Sequence, residues 1–361
     1  MTARMARLCA VALLCALPGP GAAWAQPPEG KADKTQNADK TQNTAKTQNT
    51  AKTQDKVPAK PAVPTFASPT TASAPGGGTG DVAFGAYQAG YFITAAQEAI
   101  KRVRAGSDPA AMTLLGELYA RGSGVPYDPL KAAEYYQAAA EAGDTNAMFA
   151  LGMMRLTGEG LAQNDAEAAR WFQKAATAGH TSAAYNLGLL YLQGRGVPTA
   201  TATAATWFKK ASDAGIPDAQ YALSVLLREG NGVAPDKREA MRLLAAAAQQ
   251  DHVTAQVELA IATFNGDGVE KNEAAGAQLF RKAALAGNAI AQNRYARLLS
   301  VGRGIPQDRV AAASWHLLAR ARGLSDLYLD SVVSALSTEE RATAQATARK
   351  WAANTPGATG L

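Results

Sequence analysis

Residues 115–143 read LGELYARGSGVPYDPLKAAEYYQAAAEAG, and the next stretch of the same pattern, residues 151–179, reads LGMMRLTGEGLAQNDAEAARWFQKAATAG. The pattern continues through six blocks of 36 residues without an insertion or deletion, starting at Asp108, Asp144, His180, Ile216, His252 and Asn288. Glycine occupies positions 15 and 17 of every block: Gly122, Gly124, Gly158, Gly160, Gly194, Gly196, Gly230, Gly232, Gly266, Gly268, Gly302 and Gly304. A fixed period of this length indicates stacked structural repeats.

Each block has the features of a helix, a tight turn and a second helix. The glycine at position 15 can adopt the left-handed conformation that ends a helix. A capping side chain is expected near position 21, where the second helix begins, in Asp128, Asn164, Thr201, Asp236, Asn272 and Asp308. Glu167 and Glu239 follow their caps by three residues, which predicts a capping box in two blocks.

The second helix of each block carries alanines and large apolar residues on one side, as in Ala132, Tyr135 and Tyr136 of the first block. One block cannot bury this apolar side alone, so neighbouring blocks must stack on each other. The sequence therefore predicts an all-α fold, a right-handed α-solenoid of helix-turn-helix repeats over residues 108–323.

The first 80 residues have a different composition from the repeats. Residues 1–25 contain Arg4 and Arg7, an apolar run over 8–17 and a small-residue ending at Ala25, which predicts a secretory signal peptide cleaved there. The apolar run is shorter than the roughly 20 residues that span a bilayer, so we expect no direct membrane insertion after cleavage. Residues 26–80 are polar, repetitive and then rich in proline and glycine, which predicts a disordered linker.

The cysteine content and the charge distribution argue against two classes of protein, those held by disulfides or cysteine-bound metals and those that bind nucleic acid. Both cysteines, Cys9 and Cys15, lie in the signal, so disulfides and cysteine-metal sites are not expected in the mature chain. The net charge of +6 comes mostly from the two arginines of the signal and from residues 26–80, which hold seven lysines against four acids. The repeats are therefore nearly neutral, and no nucleic-acid partner is expected.

The string from Leu115-Gly116 through Gly122, Gly124 and Asp128 closely resembles the Sel1-like repeat, a relative of the tetratricopeptide repeat. The resemblance covers residues 108–323. Residues 81–107 resemble a degenerate N-terminal capping repeat, and residues 324–352 resemble C-terminal capping helices. In the latter, Ser337 and Glu340 predict a capping box, and residues 353–361 are expected to be a disordered tail.

This resemblance implies a binding protein, since members of the family are mostly adaptors. The combination of a signal and a solenoid is similar in architecture to the periplasmic exopolysaccharide-synthesis regulators of alphaproteobacteria, which restrain a membrane sensor kinase. It implies a periplasmic or secreted protein whose partner is a protein, such as a membrane sensor or an envelope assembly.

The three histidines offer no catalytic or metal-binding arrangement. His180 and His252 occupy the same position two blocks apart, so stacking separates them by about 20 Å and they cannot share a metal. His316 replaces an aromatic residue of the second helix, which favours a packing role. Metal-ligand spacings, nucleophile elbows and phosphate-binding loops are missing from the sequence, so we expect no enzymatic activity, no metal and no cofactor.

The best candidate for binding is one side of the first helices. By analogy with tetratricopeptide repeats, positions 6, 10, 13 and 14 line a groove, since residues three or four apart share a helix face. The candidate groove residues are Phe149, Met153, Arg155, Tyr185, Leu189, Tyr221, Arg228 and Glu229.

Two interpretations of this apolar stripe remain open from the sequence. Its side chains are either partly buried between neighbouring helices or exposed as a groove for an apolar or extended peptide segment of a partner. The alternative function is carbohydrate or peptidoglycan binding, with Tyr185 and Tyr221 as stacking platforms.

Overall fold

The computed structural model describes residues 81–353. The predicted signal (1–25), the linker (26–80) and residues 354–361 of the predicted tail lie outside this range. Within it the chain forms sixteen α-helices and no strand: α1 Val82–Gln88, α2 Phe92–Ala105, α3 Pro109–Arg121, α4 Pro129–Glu141, α5 Thr145–Thr157, α6 Asp165–Thr177, α7 Thr181–Gln193, α8 Thr201–Asp213, α9 Pro217–Glu229, α10 Lys237–Gln249, α11 Val253–Asn265, α12 Glu273–Leu285, α13 Ala289–Val301, α14 Arg309–Ala321, α15 Leu327–Ser334 and α16 Thr338–Ala353.

The helices stack in chain order, as expected for an α-solenoid. Each helix from α1 to α14 packs on the next one in the chain, and at the C-terminal end α14 also packs on α16 and α13 on α15. The twelve helices α3–α14 all have 13 residues, so each block contributes the same helix pair in the same register. The predicted all-α repeat architecture is confirmed.

Side-chain caps begin most of the second helices. In five of the six blocks the capping oxygen accepts a hydrogen bond from the amide three residues later, at Asp128, Asn164, Asp236, Asn272 and Asp308. The prediction for Thr201 is wrong, because Ala200 occupies the cap position and Thr201 is the first residue of α8. The second helix of the third block therefore begins without a side-chain cap.

The first helices are also capped, which we did not predict. The first residue of five blocks accepts a hydrogen bond from the amide three residues on: Asp108, Asp144, His180, His252 and Asn288. In His180 the acceptor is Nδ1, 3.1 Å from the amide of Ala183, so the ring must be neutral at this nitrogen. Burial lowers the pKa of His180 against the opposing charge of Asp144, which favours that neutral form.

Only one of the three predicted capping boxes forms. Ser337 and Glu340 exchange both hydrogen bonds, at 2.8 and 3.1 Å, as expected. Glu167 instead pairs with Arg155, and Glu239 pairs with Arg242. The backbone amides of both caps already donate to carbonyls of the preceding helix, so the glutamates have no free cap amide to accept from.

The two glycines of each turn serve different purposes. Those at position 15 end the first helix in the left-handed conformation in all six blocks, as predicted. At position 17, Gly160 has a φ of +76° and lies against the backbone of the preceding block. A Cβ on Gly160 would stand 2.5 Å from the carbonyl oxygen of Pro129 and 2.6 Å from the Cε of Met154. In five of the six blocks the glycine at position 17 approaches the backbone of the preceding helix pair, whereas Gly268 meets the side chain of Met241.

This contact predicts unequal costs for two alanine substitutions in one block. Gly160→Ala should lower the free energy of unfolding by about 3 kcal/mol, because backbone strain and overlap add together. Gly179→Ala is the matched control, since it has a φ of +100° but a Cβ there would meet nothing within 4 Å. Its cost should be about 1 kcal/mol. Equal losses in urea unfolding would contradict a close approach at Gly160.

A third glycine position, present in the first three blocks, lets the two helices of a block pack closely around an aromatic ring. A Cβ on Gly152 in α5 would lie 2.5 Å from Cε1 of Phe172 in α6, and Gly188 stands in the same relation to Phe208. Both rings are fully buried. In the fourth block the equivalent pair is Ser224 and Leu244, so a larger residue on the first helix is matched by a smaller one on the second.

This complementarity predicts a coupled pair of substitutions. Gly152→Ala should lower the free energy of unfolding by about 2 kcal/mol through overpacking, and Phe172→Leu alone by about 1 kcal/mol through lost contacts. The double variant should lose about 1 kcal/mol less free energy of unfolding than the sum of the two single losses, as measured by urea denaturation. Strictly additive losses would contradict direct contact between the two positions.

Candidate functional site

The first-helix face is defined here by positions 6, 10 and 13 of each block, which share one side of α3, α5, α7, α9, α11 and α13. In its middle, Met153 on α5 and Tyr185 and Leu189 on α7 are half-buried. Tyr185 and Leu189 pack against the core cluster that contains Phe208 and Leu223. Each therefore has one side in the core and part of its surface accessible.

Phe149 is placed in the core rather than on an open surface. Its side chain is only 6% exposed. The ring stacks on His180 with centroids 4.6 Å apart and tilts against Phe172 at 5.6 Å. For this residue, burial between neighbouring helices is what the structure shows.

Tyr221 links the fourth and fifth blocks. Its ring stacks on His252 at 4.8 Å, and its hydroxyl donates to Oε1 of Glu258 at 2.7 Å. Arg228 donates to the other carboxylate oxygen, also at 2.7 Å. Burial and the Glu258 charge raise the pKa of Tyr221, so the phenol stays protonated and keeps its donor role. The predicted groove residues Tyr221 and Arg228 are thus engaged within the protein.

Tyr185 differs from Tyr221 because its hydroxyl forms no hydrogen bond within residues 81–353. Its ring tilts against Phe208 with centroids 5.8 Å apart. Burial, together with the charge of Asp218, raises the pKa of Tyr185 to about 12. The neutral phenol and the half-buried ring therefore contribute a mainly apolar surface.

The two other predicted edge residues lie in different surroundings. Arg155 pairs with Glu167 at 2.7 Å and donates to the carbonyl oxygen of Ala162 at 3.1 Å. It lines a cleft beside Trp171 of α6, among second-helix residues. Glu229 is exposed at the C-terminal end of α9. The structure therefore separates Arg155 from Met153, Tyr185 and Leu189.

The N-terminal end of the first-helix face is closed by a buried acid. Glu117 accepts hydrogen bonds from Tyr136 at 3.2 Å and from Tyr87 at 3.4 Å, and it pairs with Arg121. Burial raises the pKa of Glu117 although Arg121 and the two hydroxyls oppose the shift. The polar side chains at the first block therefore bond to one another within the protein.

The C-terminal end is closed by Asp326, the cap of α15. Arg297 donates to both of its carboxylate oxygens, at 2.6 and 2.8 Å, and Asn293 donates at 2.8 Å. Burial alone would raise the pKa of Asp326, but these hydrogen bonds outweigh it and hold the pKa below its ordinary value. Because the polar side chains at both ends are bonded within the protein, the accessible part of the first-helix face is its apolar middle.

The lowered pKa of Asp326 predicts an acid-sensitive contribution to stability. Because the folded pKa lies below the unfolded one, the stabilisation is present above about pH 4 and is lost as the pH falls through the folded value. Asp326→Asn should lower the free energy of unfolding by about 2 kcal/mol at pH 7, and the difference should shrink at pH 3.

Urea titrations at the two pH values measure this effect. Asp213→Asn is the control, because Asp213 forms an exposed pair with Lys209, so its loss should cost under about 0.5 kcal/mol. A constant difference between wild type and Asp326→Asn at both pH values would be inconsistent with the lowered pKa.

No metal site is found among the described residues, where no three histidine, cysteine or acidic side chains converge. His316 is fully buried and lies 2.8 Å from Asp330 through Nε2, in agreement with the packing role expected for it. Over residues 81–353, none of the helices has the length and apolar character needed to cross a membrane.

Comparisons with known proteins agree with the repeat pattern. The family model described as Sel1 repeat matches six times, over residues 109–144, 145–180, 181–216, 217–252, 253–288 and 289–324. A search of curated proteins finds no match.

Two solved structures are similar to the chain. A Sel1 repeat protein from Oxalobacter formigenes shares 32% identity with a TM-score of 0.59, over 66% of this chain and 69% of that one. A protective antigen of uropathogenic Escherichia coli strains with the SLR fold shares 21% identity with a TM-score of 0.40, over 72% of this chain and 71% of that one. With six matches in register over most of its described residues, the chain belongs to the Sel1 repeat family.

Proposed function

We propose that this protein is an exported, non-catalytic scaffold that binds a protein partner on the middle of its first-helix face. Sel1 repeat proteins are generally scaffolds for protein interactions and typically lack enzymatic activity. The observation that carries the proposal is the half-buried strip of Met153, Tyr185 and Leu189. At both ends of the first-helix face the polar side chains are hydrogen-bonded within the protein, so this strip lies between them. An apolar surface rimmed by polar groups is typical of an interaction site.

Export is part of the proposal and depends on the sequence of residues 1–25. Their basic start, apolar run and small-residue ending at Ala25 are typical of a secretory signal. We place the mature protein, beginning at Gln26, in the periplasm or outside the cell. The partner would then be an envelope protein, such as the periplasmic part of a membrane sensor or a component of an envelope assembly.

Carbohydrate binding has less support on this face. A sugar ring needs an open aromatic face, but Tyr221 stacks on His252 and its hydroxyl is bonded to Glu258. Tyr185 keeps some accessible ring surface, so a glycan remains the competing ligand to test.

Affinity capture from the envelope fraction tests the proposal with the chain from Gln26 onward as bait. The face variant, Met153→Gln with Leu189→Gln, should capture at least about 10-fold less of a specific envelope protein, because central apolar contacts dominate binding. The control variant is Leu130→Gln with Leu285→Gln, which also replaces two apolar side chains by glutamine, at exposed positions of second helices. It should capture as much partner as the wild type.

Melting curves of the variants must match the wild type before capture is compared. If wild type and face variant retain the same proteins, the first-helix face is not the binding surface. If the bait retains an envelope glycan that only the face variant releases, the ligand is a carbohydrate instead. Mass spectrometry of the exported protein should also find Gln26 at its N-terminus.

A further inference from the structure

The second block carries a cleft on the side of the second helices, away from the first-helix face. It has a volume of about 840 Å³ and lies beside α4 and α6. Its lining includes Gln137, Arg155, Glu167, Arg170, Trp171 and Lys174. The cleft is shallow and open to solvent rather than enclosed.

The cleft lies where the residues of the second block differ from those at the same positions of the first block. In the first block, Tyr119 stacks on Tyr135 with centroids 5.7 Å apart, and Lys131 lies 4.4 Å above Tyr119. The second block has Arg155 and Trp171 at those two positions. Arg155 pairs with Glu167, and Trp171 stacks on no aromatic ring within residues 81–353.

Two cations beside Trp171 lack a compensating acid. Arg170 and Lys174 are exposed one helical turn apart, and neither side chain forms a hydrogen bond or an ion pair within residues 81–353. Lys174 instead lies 4.4 Å from the centre of the Trp171 ring. Like charges at this spacing destabilise a helix, so the arrangement costs stability unless an anion is bound.

The cations at the equivalent positions of other blocks have polar partners. Arg242, the counterpart of Arg170, pairs with Glu239, and Lys282, a counterpart of Lys174, pairs with Asp251. Lys210, another counterpart of Lys174, donates to the carbonyl oxygen of Ala176 at the end of α6. In the second block the same helix face is left with two uncompensated positive charges next to a cleft. Arg155 and Glu167 neutralise each other, so the lining is positive overall.

We propose that this cleft is a second docking site, and that it takes an acidic peptide segment. Carboxylates of the segment would pair with Arg170 and Lys174, while an apolar side chain would pack beside Trp171. Charge complementarity of this kind is an established mode of peptide recognition. A stacked sugar fits less well, because the ammonium of Lys174 already covers a face of the Trp171 ring.

Fluorescence anisotropy tests the site with a short fluorescein-labelled peptide rich in glutamate and leucine. A sister peptide with lysine in place of glutamate gives the charge control, and labelled oligogalacturonate is the acidic glycan probe. The acidic peptide should bind the wild type saturably below about 1 mM at low salt. Binding should weaken as the salt concentration rises.

Charge reversal locates the binding. The double substitution Arg170→Glu with Lys174→Glu should lower the affinity for the acidic peptide by at least about 10-fold. Lys237→Glu with Arg238→Glu is the matched control, since it reverses two exposed second-helix cations on α10 that also lack an acidic partner in the described chain. Its effect should be below about 2-fold. Trp171→Ala should also weaken binding, with the helical content of all variants checked by circular dichroism.

Three results would overturn the proposal: no saturable binding of the acidic peptide, equal loss in the cleft and control variants, or cleft-dependent binding of oligogalacturonate alone. The site is independent of the first-helix face. The variant Met153→Gln with Leu189→Gln should therefore bind the acidic peptide as the wild type does, whatever the outcome of envelope capture.

Discussion

The structure depends on a backbone contact between successive blocks that only glycine permits. At position 17 of the second block, Gly160 lies so close to the carbonyl of Pro129 that any side chain would overlap it. The same position in the sixth block, Gly304, meets the carbonyl oxygen of Glu273. This contact fixes how closely one helix pair stacks on the last, and stacking is the only way each pair buries its apolar side.

Because the stacking is regular, residues at equivalent positions have equivalent surroundings, and departures from the pattern become informative. The small-to-large exchange at Ser224 and Leu244 is compensated inside its own helix pair. The exchange of tyrosine for Arg155 is not compensated in that way, and a cleft with unpaired cations lies beside it. A departure that leaves an unfilled space and an uncompensated charge is better explained by binding than by packing.

Sequence alone predicted the period, both turn glycines, most second-helix caps and the all-α stacking, since these depend on local backbone chemistry. It failed where a choice depends on a neighbouring block. The first-helix caps are local contacts and were a separate omission, although the place of these cap residues at the start of each block was a usable signal. The burial of Phe149 depends on His180 in the next block, a contact that helix periodicity does not reveal.

The candidate site was predicted only in part for the same reason. Helix periodicity predicts which positions share one side of a first helix, but which of them stay accessible depends on partners outside that helix. The hydroxyl of Tyr221 is bonded to Glu258, which also accepts from Arg228, whereas Tyr185 packs on the core cluster around Phe208 and keeps an apolar surface. Met153 and Arg155 are two residues apart on α5, yet they belong to different surfaces. Helix α5 therefore carries part of the apolar first-helix face and part of the charged cleft. The core packing that buries Phe149 holds this helix in place and so preorganises both surfaces.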